Sequence, residues 1–298
     1  MKEFKKSSEA IINGVRYGFS NQIGKDINLL NSFNELSESS FGISFDHVGG
    51  QYEPNVLTLN GKVCANVSVN QIPFRYRGER KFCIQIGTIM TAPEFRNRGL
   101  SRWLIENIID RWKNCCDAIY LFANDSVLDF YPRFGFRTMF EYEYKRSGIK
   151  SNNTKVQKLQ MNDEKNIRLV LKKYEQGNPF SALCMAENKG LLSFYCMGIM
   201  KENIYYSPKY DVVIIAESID GKMRCFDIFG ETDAQLGDIL REISTGAEDE
   251  ILLGFTPLNT ADFLCQRHFE EDTTLFVYGD SDSLFRNDKL MFPILSHA

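Results

Sequence analysis

The segment TIMTAPEFRNRGLSRWLIENII, residues 88–109, constrains the fold of this chain more than any other stretch. An apolar, β-branched run ends at Pro93, which cannot donate to a sheet ladder. The turn Arg96-Asn97-Arg98-Gly99-Leu100-Ser101 then leads directly into a helical pattern, with Leu104, Ile105, Ile108, Ile109 and Trp112 on one face. A helix start presents unpaired backbone N–H groups and the positive end of the helix dipole. Gly99 has no Cβ, so a phosphate can approach the backbone there. Arg96 and Arg98 add cationic donors, and Ser101 adds a small hydroxyl. The turn is a candidate pyrophosphate site. It is not a Walker loop, since GK[ST] is absent, and not a dinucleotide fingerprint, since GxGxxG is absent.

The flanking pattern is that of an α/β domain. Residues 26–38 predict a helix capped by Asp26, with Ile27, Leu30, Phe33 and Leu36 recurring at helical spacing. Residues 56–69 predict a hairpin about Asn60-Gly61, a dipeptide suited to a type I′ turn. Strands are expected at 81–91, 118–123 and 136–145, and helices at about 101–114 and 126–133. That order describes a mixed sheet with helices, closing near residue 150, where the polar SGIKSNNTK reads as a linker. The second half repeats the theme: a helix at 163–176, strands at 211–217 and 222–229 about Asp220-Gly221, a helix at 233–244, a strand at 250–255, a short helix near 260–267 and a strand at 273–279. DFYPRFGF at 129–136 aligns with DFLCQRHF at 262–269, an offset of 133 that matches Asp129, Phe130 and Phe136 with identical residues. These features predict an internal duplication with domains 1–150 and 151–298.

Length agrees, since 298 residues is two domains at about 150 residues each. With 43% hydrophobic residues, 23 Phe and 13 Tyr, the chain can build a large core and is not a disordered one. A sequence pI near 5.6 argues against a nucleic-acid binder, for which values above about 9 are usual. The longest apolar run, FYCMGIM at 194–200, is far short of the roughly 20 residues that span a bilayer. The N-terminal lysines have no apolar segment behind them, so no secretory signal is expected. Eight scattered cysteines without a CxxC pair suit reduced thiols in a cytoplasmic protein, and Cys265 and His268 lack a second ligand pair, so no metal site is expected.

The phosphate turn gains weight from a second group of residues downstream. The strand AIYLFA leads into Asn124 and then into Phe130-Tyr131-Pro132-Arg133-Phe134-Gly135-Phe136. Together with TAPEFRNRGLS, these elements resemble the GNAT family of acyl-CoA-dependent N-acyltransferases, whose phosphate loop reads [QR]xxGx[GA]; Ser101 stands in the usual Gly/Ala place. The wording RNRGLSRWL with FYPRFGF is most similar to the multi-GNAT acetyltransferases of the enhanced-intracellular-survival type. The resemblance covers about residues 10–145.

It implies a duplicated, mixed-sheet GNAT fold and acetyl-CoA as co-substrate. Backbone groups of Ile89, Met90 and Thr91 would meet the pantetheine arm, the amides of Arg96, Asn97, Arg98, Gly99, Leu100 and Ser101 would hold the pyrophosphate, and Asn124 would contact the pantetheine arm. A small-molecule amine would attack the thioester directly, with the N–H near Met90 on the oxyanion and Tyr131 as general acid to the leaving thiolate. A base is less evident, because the strand residues Phe82 to Ile86 include no carboxylate. Asp46, His47, Glu53, a water chain and a terminal carboxylate at Ala298 are the candidates, and Cys83, mid-strand, is not a nucleophile. In the second half the equivalent turn is Ile228 to Asp233, where basic residues are replaced by Glu231 and Asp233, and Leu264 stands where Tyr131 does. That half is expected to be a degenerate, non-catalytic copy. The other reading is an acyl-CoA-binding or sensing protein that does not turn over.

Overall fold

Local chemistry sets the first elements of the computed structural model, which describes residues 9–45, 48–151, 156–279 and 288–298. Strands β1 (Glu9–Ile12) and β2 (Val15–Ser20) form a hairpin about Asn13-Gly14, both at positive φ. Helix α1 (Ile27–Phe41) starts at Asp26, whose carboxylate accepts from the N–H groups of Asn28 and Leu29, and stops at Gly42 in the left-handed region. Strands β3 (Tyr52–Leu59) and β4 (Lys62–Tyr76) turn at Asn60-Gly61, again both at positive φ, as the sequence predicts. Next come β5 (Glu79–Thr91), α2 (Leu100–Trp112), β6 (Ala118–Ala123), β7 (Phe136–Thr138) and β8 (Tyr142–Ser147).

The second half contributes β9 (Gln157–Lys158), α3 (Glu164–Gln176), β10 (Leu183–Met185), α4 (Lys189–Phe194), β11 (Ile204–Ser207), β12 (Val212–Ile219), β13 (Lys222–Phe229), α5 (Leu236–Ile243), β14 (Glu250–Leu253), β15 (Leu264–Arg267) and β16 (Thr274–Tyr278). One turn of π-helix, Tyr195–Ile199, prolongs α4.

Two mixed sheets result. The first runs β1-β2-β3-β4-β5-β6-β16-β7, with β10 added to the far end of β4; the second runs β15-β8-β14-β13-β12-β11-β9. In each, one pair is parallel, β5 with β6 and β13 with β14, and a helix crosses between the paired strands. The halves thus share one plan, β4-β5-α2-β6 matching β12-β13-α5-β14.

Each half also surrenders a strand to the other. β16, near the end of the chain, inserts between β6 and β7 of the first sheet. β8, which comes after β7 in sequence, inserts between β14 and β15 of the second. A division at residue 150 therefore describes the order of the chain and not the membership of the sheets. The first sheet is covered on one face by α2, with Leu104, Ile105 and Ile108 packed on Val67, Ile84 and Leu121. Its other face is covered by α1 and by a core shared with the second sheet, in which Phe74, Tyr120 and Phe292 meet Val213 and Phe229.

Several expectations need correction. The helix expected over 126–133 is two short 3₁₀ turns, Asp125–Val127 and Tyr131–Phe134, because Pro132 removes a donor where a longer helix would need it. The strand expected at 136–145 is two strands in different sheets. The helix expected near 260–267 is strand β15, fixed by pairing with β8 from the first half. Helix α5 starts at Leu236 after Gln235, not at Thr232 or Asp233; the Thr232 hydroxyl instead accepts from Ala234 N–H in the turn before it. Part of the candidate linker, residues 152–155, lies outside the described residues. No helix among those described is long and apolar enough to cross a membrane.

Phe276 on β16 is 2% exposed and packs among first-half residues. Phe276→Ala is expected to destabilise the protein by about 3–5 kcal/mol. Because both sheets depend on exchanged strands, denaturant unfolding monitored by fluorescence and circular dichroism should remain one coincident transition; two separated transitions would show that the halves unfold independently.

Candidate active site

The site begins where β5 and β6 part. Their parallel pairing runs from Cys83 opposite Ala118 to Gln85 opposite Tyr120, and stops. Beyond it, β5 remains paired only to β4, and there it carries a bulge. Gly87 faces Ser68 and Met90 faces Asn66, so Thr88 and Ile89 together stand against the single residue Val67. Thr88 is at φ +46, a strained value for a β-branched residue. It is held by Asn66, whose Nδ2 donates to the Thr88 carbonyl at 2.7 Å, and by a hydroxyl chain in which Ser68 donates to Tyr52 at 3.0 Å and Tyr52 meets the Thr88 hydroxyl at 3.0 Å. Phe45 stacks on Tyr52 at 5.1 Å. The bulge leaves main-chain groups of β5 without sheet partners at the mouth of the cleft.

The phosphate turn sits at the end of the same strand. Gly99 is at φ +80 and is the N-terminal flanking residue of α2; no side chain caps that helix start. Arg96, Asn97 and Arg98 are exposed, whereas Leu100 is buried in the core. The turn is braced from behind. Arg96 Nε donates to the Thr91 carbonyl at 3.3 Å, the Ser101 and Thr91 hydroxyls meet at 2.7 Å, and Asn13 of the first hairpin donates to the Arg98 carbonyl at 3.0 Å. Arg98 also lies over the Phe95 ring at 5.2 Å. The structure thus brings Thr91, at the end of β5, against Arg96 and Ser101 of the turn, with Ile89 and Met90 just before it on the same strand.

Asn124 ends β6 across the cleft. Its Nδ2 donates to Asp272 at 2.8 Å, and the next amide, Asp125 N–H, donates to the other oxygen of Asp272 at 2.7 Å. These two hydrogen bonds hold the Asp272 carboxyl below its usual range. Asp272 belongs to the turn that leads into β16, so the second half fixes which end of the Asn124 amide faces outward. Tyr131 is 6% exposed, caged by Phe130, Phe136 and Phe276 at ring distances of 5.4, 6.2 and 5.7 Å. Burial pushes its hydroxyl up to about 12, and that hydroxyl has no hydrogen-bond partner among the described residues.

The candidate bases fare differently. Glu53 is bidentate with Arg111 and also accepts from Asn21 at 3.3 Å, so it is a paired carboxylate. Asp46 and His47 lie outside the described residues. Residues near the chain's end reach the cleft: Phe292 stacks on Tyr120 at 3.9 Å, His297 stacks on Phe122 at 4.1 Å, and the Ala298 carbonyl oxygen accepts from Gln85 Nε2 at 3.0 Å. That oxygen sits directly over Gly87, where a Cβ would come within 2.7 Å of it. Cys83 is fully buried, and burial pushes its thiol up, so it is not a nucleophile.

Among the described residues of the second half, the equivalent strand pair does not part in this way. Gly254 N–H donates to the Cys225 carbonyl, continuing the β13–β14 pairing, and Ile294 N–H donates to Gly254, so the chain itself fills the equivalent cleft. Gly230, the counterpart of the phosphate turn, is packed against Asp211, and a Cβ there would lie 2.8 Å from the Asp211 carbonyl.

The contacts of Asn13 and Asp272 escaped the sequence reading. Asn13-Gly14 between apolar runs carries the same hairpin signal as Asn60-Gly61 and could have been found; Asp272 carries no local signal at all.

Residues 31–136 match the Acetyltransferase (GNAT) family. This segment is a GNAT acetyltransferase domain. No curated protein sequence matches the chain. Among solved structures, a probable N-acyltransferase from Enterococcus faecalis V583 is similar over 90% of this chain and 74% of its own, with a TM-score of 0.58 and 15% identity. Eis1 from Mycobacterium abscessus is similar over 87% of this chain and 72% of its own, with a TM-score of 0.54 and 14% identity. A GCN5-related N-acetyltransferase from Kribbella flavida is similar over 87% and 71%, with a TM-score of 0.51 and 14% identity. At such identities the likeness is one of fold, and it extends across both halves of the GNAT-like pair.

A carboxylate at position 99 would occupy the helix start and repel an anion. Gly99→Glu is expected to weaken binding of acetyl-CoA by roughly 10- to 100-fold, about 1.4–2.8 kcal/mol. Calorimetric titration reads this directly, and unchanged affinity would place the pyrophosphate elsewhere.

Proposed function

We propose that the protein is an acetyl-CoA-dependent N-acetyltransferase that moves an acetyl group directly onto a primary amine of a small molecule. The observation that carries this reading is the conjunction, in a GNAT domain, of a splayed strand pair with an uncapped, glycine-led helix start and a neutral buried phenol. In it, the amides of Arg96 to Ser101 hold the pyrophosphate, Ile89 to Thr91 and Asn124 line the pantetheine arm, and main-chain N–H groups at the bulge of β5 receive the oxyanion.

The amine nitrogen attacks the thioester carbonyl carbon, and the C–S bond breaks as the tetrahedral intermediate collapses. Attack needs the neutral amine, and an alkylammonium has an ordinary pKa near that of Lys, about 10.4. The Ala298 oxygen held by Gln85 and the hydroxyls of Tyr52 and Thr88 orient the nitrogen, and its proton leaves to water. Tyr131 gives a proton to the sulfur. At about 12 its hydroxyl is protonated throughout the physiological range and always available as a donor. An ordinary thiol, near 8.5, is the stronger acid, so transfer to a free thiolate would be uphill. The apolar cage that raises the phenol also disfavours a bare thiolate, which narrows that gap as charge builds on sulfur.

Tyr131→Phe is expected to lower kcat by about 10²-fold or more while leaving the Kd for acetyl-CoA within about twofold. The same turnover with phenylalanine would end the acid role. The rate should rise with pH as the acceptor amine loses its proton, with no loss attributable to Tyr131 below about pH 11, since its proton is lost only near 12. Acetyl-CoA binding without transfer to any amine of a broad panel would favour a sensing protein on the same scaffold.

A further inference from the structure

A second cavity has no part in the scheme above. It measures about 430 Å³, within the usual range for small-ligand sites of about 300–1,000 Å³. It opens beside the end of β6: Asp125 in its wall comes directly after Asn124, and Thr274 in its wall is the register partner of Ala123. Glu141 lines it while being only 7% exposed. One oxygen of that carboxylate accepts from Phe292 N–H at 2.7 Å, and the other has no partner among the described residues. The wall also carries the carboxylates of Asp125 and Glu270. The guanidinium of Arg267 in the wall pairs with none of these carboxylates and lies over the Phe140 ring at 3.2 Å. His268 is turned to Glu143 at 3.0 Å and stands 3.9 Å from Glu270. Phe269, 87% exposed, and Phe140, 45% exposed, provide apolar surface at the mouth.

A carboxyl buried this deeply stays protonated unless a cation meets its free oxygen. Among the described residues no cationic side chain pairs with Glu141, and the cavity beside it is large enough to admit a cation. We infer that this cavity binds an alkylammonium group through Glu141 and Glu270, with the methylenes against the phenylalanines, so that the preferred acceptor is a diamine whose far end is held here. This rests on the transfer reading, because it makes the cavity a subsite for the same acceptor. The electrostatics agree. Burial, with Glu270 adding to it, pushes Glu141 up to about 8, so the empty site holds a largely protonated carboxyl at pH 7. The groups facing it are Glu270, Asp125, Arg267, His268 and Tyr120. Seating an ammonium ionises Glu141 and releases its proton; at pH 9 the carboxyl is already ionised and nothing is released.

The test is calorimetric titration of the full chain with 1,5-diaminopentane, without acetyl-CoA, in two buffers of different ionisation enthalpy. Binding with release of close to one proton at pH 7, falling toward none at pH 9, is expected. Glu141→Gln keeps an oxygen for Phe292 N–H, so the fold should survive, and affinity should fall at least tenfold with no proton release. Glu270→Gln, on the surface, should weaken binding several-fold. Equal affinity in both variants, or binding without proton release, overturns the inference. Transfer assays separate it from the reading on which it rests. If no amine is acetylated but the diamine still binds with proton release, the ammonium site stands and the transfer reading fails. If amines are acetylated and Glu141→Gln does not reduce the preference for 1,5-diaminopentane over 1-aminopentane, the transfer reading stands and the ammonium site fails.

Discussion

The insertion of β16 between β6 and β7 is the constraint on which the rest of the structure depends. Without it, β6 would be an open edge beside the cleft, with unpaired N–H and C=O groups along its length. The strand also delivers side chains. Phe276 forms part of the cage that keeps the Tyr131 phenol dry, and Asp272, in the turn that leads into the strand, anchors Asn124 and the amide after it. Both flank the proposed thioester site from a segment more than 130 residues away in sequence. The reciprocal loan of β8 means that neither sheet can close before the other half is present.

The need to satisfy backbone groups explains why the two copies diverge chemically while keeping one topology. A splayed parallel pair leaves backbone polar groups unpaired, which is tolerable only where water or a ligand satisfies them. In the first half, the bulge at Thr88 is stabilised by Asn66, Ser68 and Tyr52, so the opening persists against its strain. In the second half, Gly254 closes on Cys225 and Ile294 takes the remaining carbonyl, so the groups are satisfied internally. With that opening filled, nothing requires a basic turn or a phenol, and Glu231, Asp233 and Leu264 stand in their places.

What could be read in the sequence was local, and what could not was the choice of partner. The strand–turn–helix at 88–109, the Asn60-Gly61 turn, β6 and β13 arise from periodicity and turn chemistry; β6, β13 and α2 agree with the expected bounds to within about two residues, whereas the hairpin expected over 56–69 runs from Tyr52 to Tyr76, since edge-to-edge pairing prolongs both strands beyond the alternating run. The stretch 136–145 reads as one strand because its alternation is continuous; nothing in it states that its two ends belong to different sheets. Residues 264–267 read as helical because β15 is short and exposed, and it becomes a strand only through β8. The candidate site divides in the same way. Gly99, Asn124 and Tyr131 stand out because motif spacing marks them, whereas Asp272, Asn13 and the polar row behind Thr88 matter only through contacts made after folding.

Exchange also bears on what the second half contributes to the first. There the strand pair is prolonged by Gly254, and Gly230 is packed against Asp211. That half contributes one wall to the first: β16, the Asp272 clasp, the face that buries Tyr120 against Phe292, and the chain that brings Ala298 to Gln85. Losing any of these would expose apolar surface or strand edge on the first half, at a cost set by burial. Within the second half, Phe276 and Asp272 complete the proposed site, whereas Glu231 and Leu264 lie outside it.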